Sequence, residues 1–578
     1  MKKASFYLLV FLFLAIAGAG FSQQNIFEVI PPEDNLPEDF IEINVDVLDP
    51  PTAVGYVFFS VFGAWGMYPD LTPYQIITDN YGTPVYFRKT AHSSQDFKLQ
   101  PNGYITFYGG NSYKHHMMDS SYNIVKEFQV INHSTDFHDC QILENGNYLL
   151  LGHDDRIVDM DTVVQGGHPG VTVRGALIQI ISPQEEILFE WSSWDHYRIT
   201  DAADYQVDFT DPNFIDYVHA NALEMDTDST ILICCRNMDE VTKISSISGE
   251  IIWRLGGKKN QFTYAGEDTM GFYMQHDIRR LPDGLYQIFD NGNQHDPPFS
   301  NALQLSLDVE NKIATVVRRI RSNPDISGWI MGNAQHLPNG HTFVGWGSGI
   351  PNITEFKADG SKALQFSFEA MTYRAFRFPW ETKAFEFDRD TMHFGEINSG
   401  DSLATPLRIT NNLQDSIVIN HIVSRTGKFD ATGTFPLEIA PGGEKELSIQ
   451  FKPEEEGIFD DVLTICHDIN TEEQVQRIAK QIPVKAAASE DLGIDPSILR
   501  YFSFYPNPVS DHLNIRLDKL NQSFEILLYN PGGELLDTYR LKKGEIRINM
   551  ENYPAGIYLL MIRSEENPGR FIHKLIKQ

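Results

Sequence analysis

The strongest constraint on the fold of this chain is a strand–turn–strand unit that recurs along its first two thirds. Four copies read HDCQILENGNYLLLG (138–152), HANALEMDTDSTILICCRN (219–237), QHDIRRLPDGLYQIFDNG (275–292) and AQHLPNGHTFVGWG (334–347). In each copy two apolar-rich segments flank a short polar turn, which in three copies contains Asn-Gly or Asp-Gly. Glycine and asparagine tolerate positive φ, so these dipeptides are typical of tight hairpin turns. The pattern predicts antiparallel strand pairs and no long helix.

The spacing of the copies indicates how they are arranged. The turn glycines at 103, 146, 284 and 340 are separated by 43, 138 and 56 residues, and the wide gap holds the 219–237 copy and an insertion near 160–215. Each copy is followed by a further strand pair. This recurrence predicts four-stranded blades around an axis, a six-bladed β-propeller over residues 55–382. A long β-sandwich is the alternative, but sandwiches do not repeat a blade motif.

The N-terminus has the order of a secretory signal peptide. Two lysines precede an uncharged apolar run over 6–17, and small residues follow. We predict a signal peptide at 1–22 and a short lead-in at 23–54. The run is shorter than the ~20 apolar residues of a membrane-spanning helix, although an uncleaved anchor is the alternative. No membrane span is expected in the mature chain.

The charge and the cysteine content exclude several classes of protein. The chain has 46 Lys+Arg and 78 Asp+Glu, for a net charge of −32. Such a surface repels phosphate backbones and anionic lipid, so no nucleic-acid or membrane-surface partner is expected. Cys140, Cys234, Cys235 and Cys466 are too few to build a disulfide-based fold. Packed apolar cores must therefore stabilise it.

Two smaller β domains are predicted after the propeller. Residues 384–487 alternate apolar and polar residues over about seven strands, which is typical of an immunoglobulin-like sandwich. A linker at 488–498 separates it from a small C-terminal β-sandwich at 499–578. The predicted fold class is therefore all-β, with a six-bladed propeller, an immunoglobulin-like sandwich and a small terminal sandwich in that order.

The C-terminal segment resembles the sorting domain that the type IX secretion system recognises. The matching motifs are Tyr505-Pro506-Asn507-Pro508, Ala555-Gly556-Ile557-Tyr558 and the basic ending Lys574-Leu575-Ile576-Lys577. The resemblance implies that the type IX machinery is a partner and that the chain passes through the periplasm and the outer membrane. It also implies removal of the tail and a secreted or cell-surface location.

Aligning the repeats on their turns places three histidines in one register. His138 and His276 each lie eight positions before a turn glycine, and His219 lies eight before Thr227 in the corresponding turn. The first strand of each propeller blade lines the central channel, so one register forms one ring. We expect the three imidazoles to converge near one mouth of the axis. His336 lies four residues further along its strand, ~13 Å away at ~3.3 Å per residue, and is left out.

The second strands of the blades offer a further set of polar residues. Asp155, Arg236 and Asn293 each stand 17 positions after an aligned histidine, and Asn221 lies two residues after His219 on the same strand face. Imidazoles beside a guanidinium and an amide suit an oxyanion better than a cation, because arginine offers a fork of donors. One imidazole can act as nucleophile while the others donate hydrogen bonds. No metal site is predicted.

The propeller segment resembles the bacterial arylsulfate sulfotransferase family. The matching stretches, within 137–293 and more loosely over 55–370, are FHDCQILENGN, VHANAL, ICCRNMDEVTKIS, GEIIWRLGG, QHDIRRLPDG and IFDNGN. The resemblance implies ping-pong transfer of a sulfuryl group from an aryl sulfate to a phenol, with no nucleotide donor (PAPS) and no cofactor. It matches the sulfated histidine to His276 and the residues that bind the sulfuryl group to His138, His219, Asn221 and Arg236.

The sequence departs from the family in three features. The first domain of enterobacterial-type members is reduced to the lead-in, their disulfide has no clear counterpart, and two domains follow the propeller. Two other functions stay open at this point. One is a non-haem iron propeller oxygenase, in which Arg236 would repel the metal. The other is a non-catalytic cell-surface propeller that binds glycans or peptides.

Overall fold

The computed structural model describes residues 35–64, 66–433, 435–489, 501–519, 522–530, 534–564 and 570–578. The predicted signal peptide and most of the predicted 488–498 linker lie outside the described residues. Within them the regular structure is almost entirely β. The described helices are short 3-10 turns at Met160–Thr162, Ser193–Asp195, Ile199–Asp201 and Arg236–Met238. The all-β fold class predicted from the alternating patterns is confirmed.

Between residues 56 and 378 the described strands form six sheets, here called blades 1 to 6. Listed from the axis outward, blade 1 contains Ala375–Phe378, Tyr56–Val61, Tyr74–Thr78 and Pro84–Lys89. Blade 2 contains Ser94–Leu99, Ile105–Gly109, Lys114–Met118 and Ile124–Phe128. Blade 3 contains Ser134–Ile142, Tyr148–Val158, Val171–Ile181 and Ile187–Ser192, with Phe214–Asp216 added in parallel to its third strand.

The remaining three blades have the same plan. Blade 4 contains Ala220–Met225, Thr230–Cys235, Glu240–Ser245 and Ile251–Gly256. Blade 5 contains His276–Arg280, Tyr286–Asp290, Asn301–Asp308 and Ile313–Ile320, with Thr263–Ala265 added to its outer edge. Blade 6 contains Asn333–His336, Thr342–Gly345, Ile353–Phe356 and Lys362–Ser367, with Asn44–Leu48 on its outer edge.

The blades close into a ring. The innermost strand of each blade contacts the innermost strands of the two neighbouring blades, and the series returns from blade 6 through blade 1 to blade 2. Blade 1 closes the ring because its innermost strand comes from 375–378 while its other three strands come from 56–89. The start of every innermost strand therefore faces the same end of the axis. The propeller domain expected from the repeats is present.

The turns between the first two strands have the conformation that their sequences predict. Gly103, Gly146, Gly284 and Gly340 have φ values of 83°, 83°, 89° and 81°, in the region that favours glycine. Apolar side chains fill the spaces between blades, as with Trp253 between blades 4 and 5. The four cysteines are buried, and no disulfide links them.

The domain that follows is a two-sheet sandwich of nine strands, two more than the pattern indicates. One sheet contains Phe385–Phe387, Leu403–Asn411, Glu444–Phe451 and Phe429–Thr432. The other contains Met392–Asn398, Val475–Ser489, Gly457–Asn470, Ile417–Ser424 and Leu437–Ile439.

The sandwich and blade 1 share one continuous sheet. Val475–Ser489 pairs with the outermost strand of blade 1, so that Arg477 lies opposite Phe87 and Ile478 lies opposite Tyr86. One apolar core extends through both domains. The edge strand that blade 1 would otherwise expose is thereby covered.

The C-terminal domain is a small sandwich. Its first sheet contains Phe502–Tyr505, His512–Leu517 and Gly544–Asn549. Its second sheet contains Leu535–Leu541, Phe524–Tyr529, Gly556–Ser564 and Arg570–Lys577. The two sheets enclose their own apolar core.

Candidate active site

Three histidines meet where the innermost strands of blades 3, 4 and 5 begin. His138 lies in Ser134–Ile142, His219 directly precedes Ala220–Met225, and His276 is the first residue of its strand. The ring centroids of His138 and His219 are 5.0 Å apart. The charge states of both, and of Arg236, act on the pKa of His276. The structure therefore brings together the histidines and the arginine that the register pointed to.

His276 is held by a neutral amide. Its Nδ1 is 2.7 Å from Oδ1 of Asn291, whose Nδ2 donates to the carbonyl oxygens of Gly328 and Met331 at 2.6 and 2.9 Å. Because Nδ2 is committed as a donor, Oδ1 is the acceptor, and Nδ1 of His276 carries the proton. Nε2 is left with its lone pair. The hairpin places His276 opposite Phe289, so Asn291, two residues further on, lies on the same face.

Burial keeps this imidazole uncharged. The side chain of His276 is almost fully buried. Burial, followed by the nearby charge of Arg236, lowers the pKa of His276 well below its usual range. At neutral pH the ring is therefore a neutral base with a free Nε2.

Carboxylates hold the other two histidines. Nδ1 of His138 is 2.7 Å from Oδ1 of Asp136, and Nδ1 of His219 is 2.7 Å from Oδ2 of Asp216. Burial acts to raise the pKa values of both carboxyls, but the histidines they contact lower them overall, so both are ionised. Each carboxylate accepts a hydrogen bond from Nδ1–H of its histidine, so Nε2 is left for other partners. Burial lowers the pKa of His138, while Asp136 acts in the opposite direction.

Arg236 supplies the cation of the site. Its backbone N–H donates to the carbonyl of His219 at 3.1 Å, and Nη1 donates to Oδ1 of Asn237 at 3.0 Å. Within the described part of the chain no carboxylate forms an ion pair with it. Burial lowers the pKa of Arg236, and Asp216 and Asp239 act against this effect. Most of its guanidinium donors are therefore available to an anion.

Asn221 ties blade 4 to the strand of His276. It is fully buried, and its Nδ2 donates to the carbonyl of Gln275 at 2.9 Å. Its Oδ1 has no hydrogen-bond partner among the described residues. One Nδ2 proton remains available beside His276.

Two of the residues at the 17-position offset are engaged elsewhere. Asp155 forms an ion pair with Arg174 at 2.8 Å, and Nδ2 of Asn293 donates to the carbonyl of Trp329 at 3.0 Å. In blade 5 the residue that contacts His276 is Asn291, which lies two positions before Asn293 in the sequence. His336, which the register excluded, lines a different cavity of about 590 Å3.

Several site residues were missed by sequence reasoning. Asp136 and Asp216 precede their histidines by two and three positions, a spacing that offers a local signal. The ring of Phe137 stacks on His138 with centroids 3.9 Å apart, and Tyr373 lies 5.8 Å from the same ring. Tyr373 comes from the segment that leads into the closing strand of blade 1, so no local pattern identifies it. Together the two rings form an aromatic wall beside the histidines.

A buried ionic network fixes the strands next to the site. Lys98 contacts Asp96 and Asp139 at 2.7 and 2.5 Å, and Arg279 contacts Asp139 and Asp277 at 2.9 and 2.8 Å. Arg374 adds a contact to Asp96 at 2.8 Å. Asp139 and Asp277 directly follow His138 and His276 in sequence. The three cations balance the three aspartates, so the network orients the inner strands without adding net charge.

Family comparisons agree with the three-domain organisation. Residues 99–369 match the family described as Arylsulfotransferase (ASST), residues 503–578 match the secretion system C-terminal sorting domain, and residues 385–482 match a family of proteins of unknown function (DUF1573). The first match lies within the propeller segment, and the sorting domain indicates export to a secreted or cell-surface location. None of the curated proteins compared with the chain matches it.

Solved structures give only distant likenesses. A Bacteroides caccae protein of unknown function is 14% identical, with 56% of this chain and 98% of that chain covered and a TM-score of 0.36. PorZ of Porphyromonas gingivalis, a surface component of the type IX secretion system, is 9% identical over 91% and 58%, with a TM-score of 0.30. Virginiamycin B lyase of Staphylococcus aureus is 10% identical over 58% and 98%, with a TM-score of 0.30.

The described residues offer neither a metal-binding cluster nor a membrane-spanning helix. In those ranges no group of three or more His, Cys, Asp or Glu residues is arranged to hold a metal ion. None of the described helices has the length and apolar character needed to cross a membrane.

Proposed function

We propose that the protein is an aryl sulfotransferase that moves a sulfuryl group from an aryl sulfate ester to a phenolic acceptor by a ping-pong mechanism, through a sulfohistidine at His276. One observation carries the proposal. A neutral imidazole with a free Nε2 lies beside two further imidazoles and a guanidinium that forms no ion pair with any carboxylate of the described residues. The sulfotransferase-family match over 99–369 supports the same reaction class.

In the first half-reaction the lone pair of His276 Nε2 attacks the sulfur of the donor. The N–S bond forms as the S–O bond to the aryl group breaks, and the electron pair of that bond leaves with the phenolate. Charge spreads over the three remaining sulfuryl oxygens, as in phosphoryl transfer. Catalysis therefore depends on positioning and on donors that hold those oxygens.

The donors come from blade 4. The guanidinium of Arg236 offers a fork that matches two oxygens, and Asn221, whose Nδ2 bonds to the carbonyl of Gln275 beside His276, keeps a second Nδ2 proton as a donor. His219 contacts Asp216 through Nδ1, which leaves its Nε2 for the sulfuryl group. No cofactor and no nucleotide enter these steps.

His138 has the position of the general acid and base. Its protonated Nε2 gives a proton to the departing phenolate, and its neutral form later takes the proton of the accepting phenol. The acceptor oxygen then attacks sulfur, the N–S bond breaks and His276 is regenerated. The aromatic wall of Phe137 and Tyr373 offers rings against which a phenyl group can pack.

The activity assay uses p-nitrophenyl sulfate with phenol as acceptor, comparing the wild type with H276N. H341Q is the matched control, since His341 is a buried histidine held by Glu355 in the turn at the far end of blade 6. We expect H276N to lose at least about 10^3-fold in kcat and H341Q to keep its activity. Mass spectrometry of peptides from the donor-treated wild type should locate one sulfuryl group on His276.

Two outcomes would contradict the proposal. Turnover by H276N within about tenfold of the wild type would remove His276 as nucleophile. A wild type that binds glycans or peptides and never releases nitrophenolate would favour the binding propeller instead.

A further inference from the structure

The three histidines of the site differ in the chemical group that contacts their Nδ1. Carboxylates stand behind His138 and His219, whereas an amide stands behind His276. We infer that Asn291 is a positioning residue that holds His276 as the Nδ1–H tautomer with Nε2 free for attack on sulfur. The inference rests on the proposed function and assigns a role to a residue that does not touch the substrate.

The surroundings of Asn291 accept only an amide. Its side chain is fully buried, and its Nδ2 lies 2.6 and 2.9 Å from the carbonyl oxygens of Gly328 and Met331. The backbone carbonyl of Asn291 accepts a hydrogen bond from the hydroxyl group of Ser300 at 2.8 Å. An ionised carboxylate in this place would set an anionic oxygen against two carbonyl oxygens. The connection between blades 5 and 6 therefore fixes which atom of residue 291 faces the histidine.

The choice of an amide matters because of the charges around His276. Arg236 and the rings of His138 and His219 face it, and all of them disfavour an imidazolium. Asp277, the next residue, is held by Arg279 at 2.8 Å. A carboxylate behind the ring would favour the protonated form, which has no lone pair on Nε2. A neutral acceptor orients the ring without charging it.

The same hydrogen bond affects the second half-reaction. After the N–S bond forms, the ring carries a positive charge and keeps its Nδ1 proton. It then leaves as neutral imidazole when the acceptor phenol attacks sulfur. A carboxylate would draw this proton away and strengthen the N–S bond, whereas the amide of Asn291 accepts the hydrogen bond without removing the proton. Asn291 thus keeps the sulfohistidine reactive.

The direct test is the tautomer of His276 in the folded wild type. Long-range 1H–15N spectra of protein labelled with [15N]histidine distinguish Nδ1–H from Nε2–H, and the His276 signal is the one missing from H276N. We expect the Nδ1–H tautomer, with protonation only well below the ordinary pKa of 6.5. An Nε2–H tautomer, or titration near pH 6.5, would overturn the inference whether or not the enzyme is active.

The kinetic test replaces Asn291 by leucine, which keeps the volume but removes the acceptor. N293L is the matched control, because Asn293 lies two residues further on and bonds to Trp329 instead. We expect N291L to lose about 10^2-fold in kcat with the KM for p-nitrophenyl sulfate within about threefold, and N293L to match the wild type. Wild-type kcat in folded N291L, with H276N inactive, would reject the role of Asn291 and leave the proposed function standing. Activity in H276N would reject the proposed function itself.

Discussion

The rings of His138 and His219 meet nearly edge to face, with their centroids 5.0 Å apart and their planes at 74°. They come from different blades, and a separate carboxylate holds each of them. A positive charge on His219 lowers the pKa of His138, because like charges at this separation repel. A lowered pKa suits His138 as an acid that gives up a proton in one half-reaction and recovers it in the next.

Replacing Asp136 by asparagine tests the support of His138. Oδ1 of an asparagine can keep the contacts to the backbone N–H and to Nδ1 of His138, but the negative charge that favours a protonated ring is lost. We expect kcat for p-nitrophenyl sulfate to fall by roughly 10^2- to 10^4-fold while the fold is retained. E355Q is the control, since Glu355 accepts from His341 at 2.7 Å in blade 6. D136N within about threefold of the wild type would show that the contact is only structural.

Replacing Arg236 by methionine removes the cation of the site. We expect kcat/KM for the donor to fall by roughly 10^2- to 10^3-fold, with partial recovery in R236K because lysine lacks the planar fork. The charge of Arg236 lowers the pKa of His276, so the acidic limb of the pH–rate profile should move to higher pH in R236M. R408M, at an exposed arginine of the sandwich, serves as control. An unmoved limb in R236M would contradict the proximity of the two groups.

His115 should make the folded protein sensitive to acid. It is fully buried in blade 2, Nε2 lies 3.2 Å from the carbonyl of Asp136, and burial lowers its pKa to about 4. Its folded pKa lies below its ordinary value of 6.5, so the unfolded chain binds the proton first. Stability therefore falls as pH decreases from 6.5 towards 4, by up to about 3 kcal/mol.

Denaturant titrations at several pH values check this dependence. H115Q keeps a donor to the carbonyl of Asp136 and cannot titrate, so its free energy of unfolding should decline less steeply than that of the wild type. The exposed His393 provides the control variant H393Q, which should follow the wild type. Parallel curves for the wild type and H115Q would refute the assignment.

Arg477 joins the propeller to the sandwich. It is fully buried, its guanidinium contacts Asp468 at 2.7 and 3.0 Å, and it lies over the ring of Phe87 in blade 1. Removing one partner of a buried ion pair lowers the free energy of unfolding by about 3–5 kcal/mol. We therefore expect R477L to lower the melting temperature of the unit formed by the propeller and the sandwich. Calorimetry measures this change. R389L, at a partly exposed arginine, should alter stability by about 0.5 kcal/mol or less, and an unchanged R477L would argue against a common folding unit.

Features set by local sequence could be predicted because their causes lie within one repeat. The hairpin turns follow from glycines such as Gly146 and Gly284, which adopt the positive φ that the turn requires. Once the turn is fixed, His138 and His276 lie at the same number of residues before it, and each hairpin contains a register shift on the way back from the turn. The repeat thus determined which histidines face the axis, and the closing motifs determined the sorting domain.

Tertiary structure decided what surrounds those histidines. Asn291 is defined as an acceptor only by the carbonyls of Gly328 and Met331, which lie in the connection to the next blade. Tyr373 and the strand Val475–Ser489 reach their places through contacts across hundreds of residues. A periodic pattern encodes the face on which a side chain lies, because that depends on its nearest neighbours in the chain. It does not encode the partner from another blade, because that depends on how the ring closes and where the next domain packs.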